Sequence, residues 1–520
     1  MAHKKIPTKK TAAIKNSYDA IIIGAGCGGT TSAALLAKNG YEVLLLEQSS
    51  LVGGCCSTAT IKGYKFDLGA SIIEDADVID QVFARLGTSL AKEVKLVQCE
   101  PVYDCILSDG TRLKIPTDID ATVAAISQVS PADGKRFRKY VRKFRDFTET
   151  ALKGFFVMPA RGLIDMAKIF IRTPGLLKFG SLFVGSYEGA LRKFFKDRRV
   201  LESMSFQSFY VGLPPEFAPA YFAMLPYSEH RGVHYTKGGM GQIPEALLRI
   251  GKSYGLEFRQ NARVKKILLE KRSVKGVELA DGSRITAPVV ISGINAKQMY
   301  KELIGHENLP WLVRKGLDSY QYSMATPMIY LGIDYKPPLN AHHTLVTVPT
   351  EDMNRYWDED YLQGNYPDKQ FGIISWTTKS DPALAPKGHH IIILTLAPGP
   401  YRLKDKNWDE LKKDLLKKII NYYSEKYLPG LKDHVKVAEF ATPFDFERRL
   451  LSPEGAIYAL RQDFANASMF RPSAKSKSIQ GLYLVGASTH PGGGVPTTIC
   501  SGMIGADLVM KYQPSKRGSK

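Results

Sequence analysis

Three glycines and one acid near the start of the chain have the spacing to do chemistry. Gly24, Gly26 and Gly29 follow the apolar run Ala20-Ile21-Ile22-Ile23, and Glu47 closes a second run, Val43-Leu44-Leu45-Leu46. Glycines so spaced suit, in order, a tight turn, close backbone approach to a pyrophosphate, and close helix–strand packing. A helix starting there turns its positive end toward the phosphates, and an acid ending the second strand can hold ribose hydroxyls. The elements that must position these residues are legible as strand, turn, an Ala/Leu-rich helix through Ala33–Ala37, the turn Asn39-Gly40, and strand. The pattern predicts a dinucleotide site containing Gly24, Gly26, Cys27, Gly29 and Glu47.

Gly53-Gly54-Cys55-Cys56 follows the acid, and Phe66-Asp67-Leu68-Gly69 follows in turn. A glycine pair soon after the acid, then Phe-Asp-x-Gly, resembles the FAD-binding start of the amine oxidase and phytoene desaturase superfamily. The resemblance implies FAD rather than NAD, with Gly53 and Gly54 at the cofactor; a plain loop and a turn-capping Asp67 are the alternatives. Near the C-terminus, Leu482-Tyr483-Leu484-Val485-Gly486 reads as a buried strand, and Ser488 to Pro496 as a glycine-rich loop entering a helix that reaches about Met510. Backbone N–H groups freed at such a helix start can face the negative edge of a reduced flavin. This block resembles the C-terminal signature of bacterial phytoene and carotenoid desaturases and implies Gly486, Gly494, Val495 and Pro496 as cofactor residues. Between the ends, Tyr235 to Gly241, a helix pattern and Asn261 to Ile267 form a third matching block. There the resemblance lays the backbone near Val264 against adenine.

A chain of 520 residues exceeds one core. The expected fold is α/β: a Rossmann-like FAD-binding domain with an inserted mixed α+β substrate domain carrying amphipathic membrane-facing helices. The expected FAD-binding pieces are 17–75, 235–298 and 475–512. Substrate pieces are 76–234 and 299–474, with a disordered basic arm at 1–16 and a basic tail at 513–520.

Lys and Arg outnumber Asp and Glu by 71 to 51, which suits an anionic partner or surface. Part of the excess is concentrated at 135–147, where Lys135, Arg136, Arg138, Lys139, Arg142, Lys143 and Arg145 interleave with Phe137, Tyr140, Phe144 and Phe147. On a helix these form a basic face and an aromatic face. At 163–172, Asp165, Lys168 and Arg172 line one helical face and leave a broad apolar remainder, suited to a bilayer interface or to a core helix. No nucleic-acid module accompanies the charge, so nucleic acid is not an expected partner. No run approaches the ~20 apolar residues of a membrane span. The expected location is cytoplasmic, peripheral to the inner face of a membrane.

Six cysteines show neither paired CxxC sets nor histidines at ligand spacing, so no metal site or disulfide framework is expected. His342-His343 and His389-His390 are sequence neighbours that on strands point to opposite faces, against a shared role.

Desaturating a hydrocarbon removes a hydride to flavin N5 and a proton from the neighbouring carbon. At an allylic position, placing the carbon against the ring supplies most of the catalysis. No triad or carboxylate pair is legible. His490, the one titratable side chain of its loop, is the candidate proton acceptor, with a structural role as its alternative. The resemblance implies a carotenoid-type polyene or isoprenoid precursor such as phytoene, and reoxidation by a quinone or oxygen. One departure stands out: bacterial phytoene desaturases commonly carry Arg soon after the glycine pair, whereas this chain has Cys55-Cys56. In that loop it is similar to carotenoid isomerases and retinol saturases. Desaturation is the expected activity. Isomerisation or saturation of a polyene in the same site, and a non-catalytic flavin-binding membrane adaptor, are the alternatives.

Overall fold

The computed structural model describes residues 15–160 and 162–515. Most of the expected basic arm (1–14), the end of the tail (516–520) and Arg161 lie outside the described residues.

Continuous apolar runs become strands buried on both faces. β1 (Ala20–Ile23), helix α1 (Cys27–Lys38) and β2 (Val43–Leu46) are followed much later by α2 (Gln242–Ser253), β3 (Glu257–Arg259), β4 (Val289–Ser292), β5 (Leu482–Leu484) and α3 (Val495–Tyr512). The five strands form one parallel sheet in the order β5-β4-β1-β2-β3, with Ala20 in register with both Val289 and Val43. α1 lies against both α2 and α3. Its contact with α3 requires glycine on each side. A Cβ at Gly28 would stand 3.1 Å from the Thr498 oxygen of α3, and one at Gly502 would stand 2.5 Å from the Gly28 oxygen.

The second layer is a seven-stranded mixed sheet in the order Val435–Ala441, Met328–Ile333, His390–Thr395, Gly372–Ser375, His343–Val346, Tyr103–Ile106, Arg112–Ile115. Its pairs are antiparallel except where His343–Val346 runs parallel to Tyr103–Ile106. That parallel contact joins two chain segments more than two hundred residues apart.

Asp67 ties the segment after the glycine pair to the segment that opens α2. Its fully buried carboxyl accepts hydrogen bonds from Thr58 Oγ1 (2.7 Å), Tyr235 OH (2.5 Å) and the Met240 N–H (2.7 Å). Gly239, at φ +101°, has no room for a side chain, since its Cβ would meet Thr58 Oγ1 at 2.4 Å.

Two helices correct the sequence reading. In Pro131–Leu152, capped by Ser130, the aromatic stripe Phe137, Tyr140, Phe144 and Phe147 is fully buried, against Phe194 and Phe195 among others. The i, i+3, i+7 spacing marks core here, and only the basic face meets solvent. In Leu163–Arg172, Asp165 and Ile169 face inward while Leu163, Ile164 and Ile171 are exposed. Asp165 therefore does not share an outer face with Lys168 and Arg172. No described helix is long and apolar enough to cross a membrane.

Asp67→Ala leaves three buried donors without their acceptor and is expected to cost about 3 kcal/mol or more in urea unfolding. Burial, outweighing the three hydrogen bonds, raises this carboxyl from its ordinary 3.8 to about 6. The folded chain thus binds the extra proton between those values, and the stability owed to Asp67 falls as pH rises through that window. Asp67→Asn should remove that component from the pH profile; identical profiles for wild type and variant would contradict the assignment.

Candidate functional site

The strand ends and glycine turns of the parallel sheet open into one cavity of about 540 Å³. Gly24 leaves β1 at φ +93°, which lets the chain turn sharply into α1, and its N–H bonds the Leu46 carbonyl at 2.8 Å. A Cβ at Gly29 would sit 2.0 Å from the Gly24 oxygen, so glycine sets the helix–strand distance. Gly26 is different in kind. A Cβ there meets nothing within 4 Å and points into open space on the cavity wall.

α1 begins at Gly26 with no side-chain cap and no acid in its first turn. α3 begins at Gly494 in the same way, with Pro496 in its first turn. Two helix N-termini whose leading N–H groups lack side-chain acceptors thus open on a single cavity. Their dipoles add to a local positive field that suits an anion.

Glu47 is half-buried at the end of β2. Its Oε2 accepts the Ala25 N–H (2.7 Å) and its Oε1 the Ser49 N–H (2.8 Å). Burial pushes its pKa up, and backbone N–H groups at Ala25, Ser49 and Gln48 pull it back. An ionised carboxylate has about four acceptor sites, so with those three N–H groups on it acceptor capacity remains for a hydroxyl donor. Gly53 sits at φ +111°, its N–H on the Ala25 carbonyl (2.9 Å), and a Cβ at Gly54 would lie 3.7 Å from the Gly26 Cα. Side-chain-free backbone therefore lines this part of the wall from both sides.

Every expected cofactor residue is on this wall: Gly24, Gly26, Cys27, Gly29, Glu47, Gly53, Gly54, Val264, Gly486, Gly494, Val495 and Pro496. These residues fit a dinucleotide, with uncapped N–H groups for the pyrophosphate, remaining acceptor capacity on Glu47 for ribose, and an open wall at Gly26. The remainder of the wall is largely apolar, including Leu152, Phe156, Phe222, Met224 and Leu225.

His490 is not brought into the cavity. Its ring is buried, Nε2 donates to the Phe155 carbonyl at 2.5 Å, and burial pushes its pKa down to about 4. It thus lies off the cavity wall with its Nε2 engaged. The His342-His343 pair also departs from expectation. Both rings engage Ser71, His343 Nε2 at the hydroxyl (2.8 Å) and His342 Nε2 at the carbonyl (3.1 Å), 5.1 Å apart between centroids. The strand begins only at His343, so the period of two does not apply to His342.

Several wall residues carried no sequence signal. Arg449 binds the Gly54 carbonyl (3.2 Å), Ser57 Oγ (3.1 Å) and the Leu68 carbonyl (3.1 Å). It brings to the glycine-pair loop, from far along the chain, a guanidinium where the local sequence offers Cys55-Cys56. Those two are protonated thiols: burial pushes Cys55 up, and a Cys27 hydrogen bond and burial push Cys56 well up. Tyr458 lies against Gly493, whose Cβ would meet its ring at 2.8 Å. Glu74 joins the same wall.

The model of the flavin-containing amine oxidoreductase family matches residues 28–510. A neurosporene-forming phytoene desaturase of Rhodobacter capsulatus is 30% identical over 498 residues, covering 94% of this chain and 93% of its own length. A ζ-carotene-forming phytoene desaturase of Myxococcus xanthus is 27% identical over 500 residues, covering 95% and 94%. The solved structure of an oxidoreductase from Methanosarcina mazei shares the fold, with TM-score 0.62 at 18% identity over 95% of this chain and 100% of that one.

Gly26 and Gly29 give a paired test. At Gly26 a Cβ meets no protein atom and points into the cavity, so purified Gly26→Val is expected to fold with wild-type circular dichroism and to lack flavin absorbance. Gly29→Val drives a side chain into the Gly24 carbonyl and is expected to fail in folding itself. Full flavin occupancy in Gly26→Val would place the cofactor elsewhere.

Proposed function

Because this chain belongs to the flavin-containing amine oxidoreductase family, we propose that it is an FAD-dependent desaturase of a long apolar polyene, phytoene or a close carotenoid relative. The observation that carries this reading is the continuity of one cavity, from a nucleotide cradle at Gly26, Glu47 and Gly494 to a wall of Leu152, Phe156, Phe222, Met224 and Leu225. Phytoene desaturases among its relatives, aligned over nearly the whole chain, support the substrate class. Bound FAD supplies a hydride acceptor; a quinone or oxygen takes the electrons onward. The chain's part is to hold and orient. The glycine turns and uncapped helix ends fix the dinucleotide, and the apolar wall excludes water and aligns the polyene. Backbone N–H groups at the start of α3 stabilise negative charge that develops during transfer.

In the same reading, 17–75, 235–298 and 475–512 hold FAD, and 76–234 with 299–474 hold the polyene. The substrate reaches its cavity from a lipid surface. Leu163, Ile164, Ile171, Leu177 and Val184 are between 68% and 81% exposed, and Lys168, Arg172 and Lys178 stand exposed among them. An apolar outer face rimmed by cations is the make-up of an interfacial helix.

Expression in cells that accumulate phytoene is expected to yield products with more conjugated double bonds; an isomerised polyene without net oxidation would overturn desaturation. In anaerobic stopped flow with phytoene, His490→Ala should bleach the flavin within about tenfold of wild type, far short of the 10²–10⁴ typical of a lost acid or base.

Vesicles containing anionic lipid should retain the protein, and salt alone should release only part of it, since screening spares buried apolar contacts. Replacing Leu163, Ile164 and Ile171 with Ser should weaken vesicle binding by more than about tenfold per side chain if each is fully inserted. Unchanged binding would assign this face another role.

A further inference from the structure

Buried titratable groups that the nucleotide cradle does not use converge at one place. Residues 73–77 and 229–234 run side by side, with Ile73 and His234 exchanging backbone hydrogen bonds of 2.9 Å. Arg231 grips Asp75 at 2.6 Å and Asp77 at 2.7 Å. Asp75 holds a left-handed backbone, φ +48°, a region sparsely used by residues with a side chain although Asp enters it more readily than most. The Arg231 ion pair holds the turn there. Glu74 is thereby fixed between the Ile73–His234 bridge and the pinned turn, and it forms part of the cavity wall.

Glu74 is half-buried where it faces the cavity, and no described residue donates a hydrogen bond to it. Its acceptor sites are left to whatever occupies the cavity. Glu229, from the same segment as Arg231, is its buried neighbour, held by Gln207 (Nε2 to Oε2, 3.2 Å).

Resting on the reading of this cavity as a polyene-desaturating site, we propose that Glu74 is its catalytic proton acceptor. As one polyene carbon surrenders hydride to bound flavin, the C–H bond of the neighbouring carbon breaks. Its electron pair becomes the new carbon–carbon π bond, and the proton passes to a Glu74 carboxylate oxygen and then to water. The polyene loses two electrons, which the flavin receives with the hydride.

The groups around Glu74 leave it that role. Two carboxyls in one enclosure do not both ionise readily, so Glu74 and Glu229 titrate as a pair. Burial first, and Asp75 second, push Glu74 up to about 8, while burial and Glu74 push Glu229 well up. Asp75 carries Arg231. Tyr187, Tyr210 and Tyr458 are kept as phenols by burial, and Cys500 as a thiol. His343, also on the wall, is held neutral by burial with Nε2 engaged at Ser71. A base whose pKa lies near the working pH is the effective kind.

The test uses flavin-loaded wild type, Glu74→Gln and Glu74→Asp. Infrared difference spectra of the substrate-free proteins across neutral to alkaline pH should show a protonated-carboxyl band titrating near pH 8 in wild type and absent from Glu74→Gln. With phytoene, wild-type kcat/KM should rise with pH to a plateau above that midpoint. Glu74→Gln should keep its flavin and lose about 10²–10⁴-fold in turnover, with part of it restored in Glu74→Asp. Wild-type turnover that Glu74→Gln leaves unchanged, or a wild type without the titrating band, overturns the role of Glu74 alone. A wild type inert toward every polyene overturns the substrate reading together with it. If Glu74→Gln fails to fold, the shift of the band and of the pH profile in Glu74→Asp decides, an unchanged band and profile overturning the role.

Discussion

A single buried carboxyl, that of Asp67, holds the site in one piece. Its three donors come from Thr58, Tyr235 and Met240, so the segment after the glycine pair and the segment that opens α2 share one acceptor. Taking a carboxylate out of water costs several kcal/mol unless donors replace the solvent. Three donors do so only in part, as its raised pKa records. The compensation lies in specificity: one group satisfies Tyr235 OH, Thr58 Oγ1 and the Met240 N–H together and so fixes how these segments meet. Gly239 then has to be glycine because backbone and carboxyl meet there.

Around that anchor the cavity exists through what is missing. Gly26 and Gly54 present bare backbone to the cavity, and α1 and α3 begin without capping side chains. An uncapped helix end normally costs about 1 kcal/mol; two at one cavity make sense when an anion completes both. Elsewhere the fold spends its aromatic residues on rigidity. The stripe Phe137, Tyr140, Phe144 and Phe147 locks the Pro131–Leu152 helix into the interior, which leaves the neighbouring Leu163–Arg172 helix to carry the apolar surface.

What the sequence made legible is what local spacing controls. Gly24, Gly26, Gly29 and Glu47 lie within one βαβ unit, so chain order alone brings them together, and Gly53-Gly54 and Gly494-Val495-Pro496 were readable through family resemblance. Arg449 was not legible, because its partners Gly54, Ser57 and Leu68 are nearly four hundred residues away. Glu74 and Glu229 were missed for the same reason: pairing them requires the Ile73–His234 bridge. The Leu163–Arg172 helix shows a different limit. Its periodicity marks an amphipathic helix but not which face the neighbours take, and the burial of Asp165 reversed the expected side. His490 looked accessible as a member of a glycine-rich loop, yet the Phe155 carbonyl claims its Nε2.

The missed residues share an electrostatic logic that the glycines alone lack. Desaturation separates a hydride and a proton from adjacent carbons, so the site gains by offering each a different environment. On the cofactor side, Arg449 at the Gly54 carbonyl and the open ends of α1 and α3 all present positive charge or N–H dipoles. That field favours the arrival of negative charge and works strongly in a dry cavity. In the same cavity stands Glu74, next to Glu229 and without a cation of its own, since Arg231 is committed to Asp75 and Asp77. A carboxylate so placed gains free energy by accepting a proton, because protonation removes a buried charge and its repulsion from a neighbour. The enclosure that raises the affinity of Glu74 for a proton is the same enclosure that strengthens the positive field at the glycine loop. One apolar cavity thus drives both halves of the reaction without a strong base in water.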